Sequence, residues 1–269
     1  MATPFAPATA TAIQSAFPSE YQLLNRTIES LHGLLEKLDG IPMEGMTRVQ
    51  FVVLFQFVKA LKTGQALNVL FFGGYGEDAE ILLRVLVEQA IVVRWVHQDD
   101  SDDRARAYAL FLSEKQYGRL ALMRELLPSA DLSRVPVAEI EQRHREYERL
   151  GKEMKWRTLT KSLAELAASA GMQNSYLFYF YGTDFVHSNP TTEASYVRTA
   201  DGATWFNSTP TMPDVALSPL IAAQHLLFIA DVFNDVFGFQ ANDMLRTLMN
   251  EATRVPGPAE PPPIEAKES

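Results

Sequence analysis

A chain of 269 residues, 47% of them hydrophobic, is long enough to bury a sizeable core without external staples. It contains no cysteine, which excludes disulfides, thiolate zinc sites and cysteine nucleophiles and suits a reducing compartment, so a cytoplasmic location is expected. A net charge of −9 argues against a broad nucleic-acid surface, because phosphate binding relies on clustered Lys and Arg.

Residues 1–19 are rich in Ala, Thr and Pro but lack a basic n-region and a continuous apolar stretch, so they read as a disordered leader. From residue 20 to 253 helical periodicity dominates. The expected fold is all-α, a single multi-helix bundle carrying one small β-hairpin. A first helix runs from Glu20 to Leu38 and stops at Asp39-Gly40-Ile41-Pro42; a second spans Thr47 to Phe72 and ends in Gly73-Gly74-Tyr75-Gly76. The third, Glu77 to His97, is apolar on nearly every side and is expected at the centre of the bundle. Its stretch Ile81 to Val96 comes closest to a membrane span, but Arg84, Glu88 and Arg94 interrupt it, and no membrane partner is expected.

The acidic run Asp99-Asp100-Ser101-Asp102-Asp103 lacks the glycine and terminal glutamate of a calcium loop and reads as the start of a fourth helix reaching Leu127. A polar helix from Val137 to Lys155 and a short one from Ser162 to Ala170 follow. The basic residues between Arg143 and Lys161 are matched by glutamates, as on a solvated helix face laced with i,i+4 pairs. An aromatic helix through His187 then ends at Asn189-Pro190. Residues 195–207 carry two short β-type runs around Asp201-Gly202, the signature of a hairpin. A last helical region from Asp214 to Glu251 precedes a Pro-rich, charged tail, 254–269, expected to be disordered.

The chemistry-bearing residues concentrate in Tyr176 to Ser188. On a helix, Tyr179, Thr183 and His187 fall at i, i+4 and i+8, so a phenol, a hydroxyl and an imidazole share one face, and Asp184 lies one turn before His187, placed to orient it. On the central helix Arg84 and Glu88 form an i,i+4 pair, and two charges buried there need each other. His97 lies half a turn away from Glu88, so His187, Asp184, Glu88 and His97 do not make one metal site. No metal and no cofactor is expected. The chain also has no P-loop, no dinucleotide fingerprint, no zinc-protease helix and no nucleophile elbow.

The segment Gly74-Tyr75-Gly76-Glu77-Asp78-Ala79, followed by Leu82-Leu83-Arg84-Val-Leu-Val-Glu88 and later by Tyr179 and His187-Ser188, resembles a bacterial helical family catalogued as domain of unknown function 5677, over roughly residues 50 to 200. More distantly, the layout is similar to HEPN proteins, many of them metal-independent ribonucleases of toxin and antiviral systems that act as dimers. Their signature Arg, four to six residues before a His on one helix, is missing, since Tyr181 to Val186 contains none.

Two functional expectations follow. In the first, the protein is a binding or regulatory module for a protein or small-molecule partner, and Arg84, Glu88, Tyr179 and His187 form a buried polar network that fixes helix packing. In the second, which the HEPN likeness implies, it cleaves RNA: His187 is the base, Arg84 stabilises phosphorane charge, Glu88 positions Arg84, and Tyr179, Thr183 and Asp184 contact substrate. The apolar last helix would support a homodimer or simply close the core.

Overall fold

The computed structural model describes residues 7–40, 44–98, 101–127, 132–133, 135–153, 162–186, 193–200, 203–206 and 218–254. In chain order these form α1 (Pro7–Ala16), α2 (Pro18–Glu36), α3 (Arg48–Gly73), α4 (Gly76–Val96), α5 (Ser101–Leu126), α6 (Val137–Glu153), α7 (Leu163–Ser169), α8 (Gln173–Val186), α9 (Glu193–Tyr196), β1 (Val197–Ala200), β2 (Ala203–Phe206), α10 (Ser218–Phe237) and α11 (Asn242–Arg254). The fold is all-α. Val197–Ala200 and Ala203–Phe206 pair antiparallel, with Arg198 opposite Trp205; the two residues that join them lie outside the described residues, as does the tail beyond Arg254.

Local chemistry sets several helix ends. Thr47 caps α3 through a full capping box, its hydroxyl accepting from the Gln50 amide (3.1 Å) while the Gln50 side chain accepts from the Thr47 amide (2.9 Å). The far end of α3 closes on Gly74, whose φ of 82° is a left-handed conformation that glycine adopts without steric cost. Ser162 and Glu165 form a second capping box at the start of α7.

The core forms around α4, which packs against α3, α5, α7, α8 and α10. Leu83, Leu86, Val87, Ala90, Ile91, Val93 and Val96 on it are all buried, as its near-continuous apolar pattern predicts. Helix α10 lies antiparallel to α3: the Phe57 and Phe233 rings stack with centroids 3.9 Å apart, and Gly64 receives the Leu226 side chain. A Cβ at Gly64 would come within 2.8 Å of Leu226 Cδ1, so a larger residue here would make the Leu226 side chain move. Among the described residues α10, not α4, is the helix long and apolar enough to cross a membrane, yet its core-facing residues are buried against α2, α3 and α4.

Two expectations are corrected. The segment 1–19 is not a disordered leader from Pro7 onward: α1 packs on α2 and α3, Ile13 is fully buried, and Phe17 enters the core at the bend into α2. Its few apolar residues are spaced so that Ile13 and Phe17 fall one helical turn apart. The region from Asp214 to Glu251 is not one helical run: α10 stops at Phe237, where Gly238 (φ 68°) and Gln240 (φ 57°) turn the chain in left-handed conformations. Buried Asn234 holds that turn. Its backbone carbonyl accepts from the Gly238 and Phe239 amides, its Oδ1 accepts from the Ala241 amide at 2.8 Å, and its Nδ2 donates to Asn242 Oδ1.

Packing α1 into the core predicts that Ile13→Ala destabilises the whole domain by about 2 kcal/mol or more. A urea midpoint unchanged from wild type would refute α1 as part of the core. His225 generates a second expectation. It is buried on α10, its Nδ1 is 2.7 Å from the Ile221 carbonyl, its Nε2 has no partner among the described residues, and Phe178 and Phe228 meet its ring edge to face. Burial pushes its pKa down from 6.5 to about 4, against the smaller opposing effect of the Ile221 carbonyl. The unfolded chain therefore binds a proton that the fold refuses. This stability contribution is complete above pH 6.5 and is lost as pH falls towards 4, to a total of about 3 kcal/mol. Stability curves of wild type and His225→Leu should run parallel above pH 7, and below 6.5 wild type should lose about 3 kcal/mol relative to the variant as pH approaches 4; curves that stay parallel down to pH 4 would rule the linkage out.

Candidate functional site

The site begins with an unusually close approach of two helices. Gly182 on α8 rests against α4 so tightly that a Cβ there would lie 2.9 Å from Arg84 Cβ and 3.0 Å from the Glu80 carbonyl oxygen. Glycine is required at this position because the opposing atoms belong to backbone or to the stem of a side chain and cannot move aside cheaply. A single glycine among Tyr181 and Thr183 in an aromatic helix was the readable signal of such a contact.

The approach places Tyr179, one turn earlier on α8, over the Arg84 side chain. The Arg84 Nη2 donates to Tyr179 Oη at 2.6 Å, and the guanidinium carbon sits 4.4 Å from the centroid of the same ring. Arginine thus meets the phenol through both a charge-assisted hydrogen bond and the π face. The Tyr176 ring stacks beside Tyr179 at 5.6 Å and walls the pair on one side. Arg84 is half-buried, and its Nε is buried with no hydrogen-bond partner among the described residues.

Other expected members fall elsewhere. Glu88 does not pair with Arg84: among the described residues no ion pair joins them, and Glu88 is exposed. Its carboxylate instead acts on Tyr108 of α5, whose pKa is raised first by burial and then by Glu88, against a lowering hydrogen bond from Gln56. The i,i+4 spacing permits the pair, but the Arg84 guanidinium is turned to Tyr179 on α8 while the Glu88 carboxylate acts on Tyr108 of α5. The expected buried Arg84–Glu88 pair is therefore absent. Thr183 donates its hydroxyl to the Tyr179 carbonyl at 3.0 Å, an i−4 bond within α8. Asp184 is half-buried on the same helix. His187 and Ser188, on which the catalytic expectation rests, lie outside the described residues; α8 ends at Val186, immediately before His187.

Sequence reasoning passed over Glu80. It is buried one turn before Arg84, and its carboxylate accepts from the Ser218 hydroxyl at the first residue of α10. Glu77, also buried, lies on the same side of α4. One face of α4 thus presents two carboxylates and a guanidinium to its neighbours, and a buried acid in an otherwise apolar helix was the available sign. Among the described residues no cluster of His, Asp and Glu could hold a metal ion.

Residues 50–204 match the model of a family described as Family of unknown function (DUF5677), more than half of the chain, and the chain belongs to that family. No match was found among curated proteins or among solved structures.

The contact at Gly182 predicts that Gly182→Ala destabilises by about 1–3 kcal/mol, because α8 must lift from α4. Gly33 on α2 has nothing within 4 Å of an added Cβ, so Gly33→Ala should stabilise by about 0.5–1 kcal/mol through helix propensity. Thermal melts of the two variants shifting in the same direction would contradict this account of the contact.

Proposed function

We propose that this family member is a binding or regulatory module, with Arg84 and Tyr179 serving as an interhelical lock and not as catalytic machinery. The observation that carries this reading is that the Arg84 guanidinium is engaged by Tyr179 through both its hydroxyl and its ring. The groups expected to converge on a substrate do not do so: the Thr183 hydroxyl bonds to its own helix, and Glu88 is exposed, with no ion pair to Arg84 among the described residues. A polar lock of this kind fixes the rotation of α8 on α4, a setting apolar packing alone leaves less well specified. Its place of action on this reading is the cytoplasm, in keeping with a chain free of cysteine.

The second reading is metal-independent RNA cleavage of the HEPN kind, in a toxin or antiviral setting, with His187 as base and Arg84 as the cation. One observation favours it: Arg84 packs on α8, the helix that leads directly into His187. On that view Tyr179 holds the guanidinium in place until phosphate replaces it.

The two readings separate in a combined assay. If the lock is structural, Arg84→Met and Tyr179→Phe each lower stability, the double variant loses less than their sum by about 1–2 kcal/mol, and His187→Ala changes no RNA cleavage measured without divalent metal. Cleavage by wild type that disappears in both His187→Ala and Arg84→Met, with both variants folded by circular dichroism, would replace the module reading with the nuclease one.

A further inference from the structure

Helix α3 is apolar on two opposite faces. The inner one, with Phe57, Leu61 and Phe71, is buried in the core. The outer one carries Phe51, Phe55, Val58 and Val69 at 55, 48, 36 and 56% exposure, so about half of their apolar surface stays in water. These positions, with Lys62 and Ala66 between them, follow one another at steps of four, three, four, four and three residues, a single stripe about 27 Å long. From Phe51 to Ala66 the stripe, with Leu54, Lys59 and Thr63 beside it and Leu82 of α4, lines an open groove of about 610 Å³.

The charge in this groove selects its occupant. Lys59 and Lys62 are the ionisable residues that line it among the described residues, and neither has an ion-pair partner among them, on a chain whose net charge is −9. A second copy docked about a twofold axis would set these lysines against their own counterparts, with no carboxylate in the groove to neutralise them. Length and openness suit an extended element laid along α3 more than a compact ligand enclosed on all sides.

We infer that the outer face of α3 is the docking groove for an acidic amphipathic helix of a partner protein, its apolar residues seated on Phe51, Phe55 and Val58 and its carboxylates on Lys59 and Lys62. The inference rests on the module reading and gives that module its partner class. It differs from the Arg84 site, because these residues sit on a face of α3 turned away from the core.

The test uses the full chain and a fluorescein-labelled synthetic helix of about 18 residues, with Leu at i, i+4, i+7 and i+11 and Glu at the flanking positions, beside a control in which every Glu is Lys. Fluorescence anisotropy should show binding of the acidic peptide and not of the control. Phe55→Asp should weaken it at least tenfold, and Lys62→Glu should shift preference towards the lysine peptide; both sites are exposed, and circular dichroism checks that each variant folds. The assignment is overturned by absence of binding, by equal binding of both peptides, or by a wild-type dimer in sedimentation that Phe55→Asp converts to monomer, which would give the groove to a second copy. Failure here leaves the module reading standing as long as RNA cleavage shows no dependence on His187, whereas cleavage that does depend on it removes that reading whatever the peptide does.

Discussion

The burial of most of α4 is the constraint from which the remaining architecture follows. A helix packed against α3, α5, α7, α8 and α10 has little water for its buried polar groups, and several of them take partners on neighbouring helices. Glu80 finds Ser218 on α10, Arg84 finds Tyr179 on α8, and the Trp95 carbonyl accepts from Arg104 on α5 at 2.9 Å. Three surrounding helices are thereby fixed in rotation as well as in distance. Apolar contact drives the assembly, but each of these bonds has one acceptable geometry, and the bundle is specified by them.

The same logic explains why the aromatic character of α8 is divided. Tyr176 and Tyr179 turn towards the core and the Arg84 side chain, while Leu177, Phe180 and Tyr181 are exposed. The dividing line is set by Gly182, because the only way to bring backbone that close to α4 is to point the missing Cβ at it. Position of the glycine, more than hydrophobicity, decides which rings are inside.

What could be read from the chain beforehand was whatever local chemistry determines. The ends of α3 were legible in Thr47 with Gln50 and in Gly74, and the start of α7 in Ser162 with Glu165, because a cap involves residues three or four apart. The central position of α4 was legible in its apolar composition. Partnerships were not. Periodicity says that Arg84 and Glu88 share a helix face within about 40°, but not which neighbour each will meet, and the partner of Arg84 comes from 95 residues further along. The break after Phe237 was missed for a similar reason: Gly238 alone is tolerated in many helices, and the turn depends on Asn234 reaching forward to Ala241 and Asn242. The α1 helix was hidden by a Pro- and Thr-containing composition in which the core contact falls to two residues, Ile13 and Phe17.

The antiparallel seating of α10 on α3 also governs the order in which this protein can come into being. A ribosome delivers α2, α3 and α4 first, yet the helix that packs on all three arrives only with residues 218–237. Until then Phe57 lacks the ring it stacks on, Gly64 faces an empty slot, and Glu80 lacks Ser218. The pairing of Arg26 with Glu251 joins positions 225 apart, so that seam closes only after α11 has been made. Contacts this distant in sequence make folding slow and leave apolar surface uncovered on the nascent chain. A product that stops anywhere before α10 is therefore not a smaller version of this domain but an open one, dependent on whatever holds unfinished chains apart.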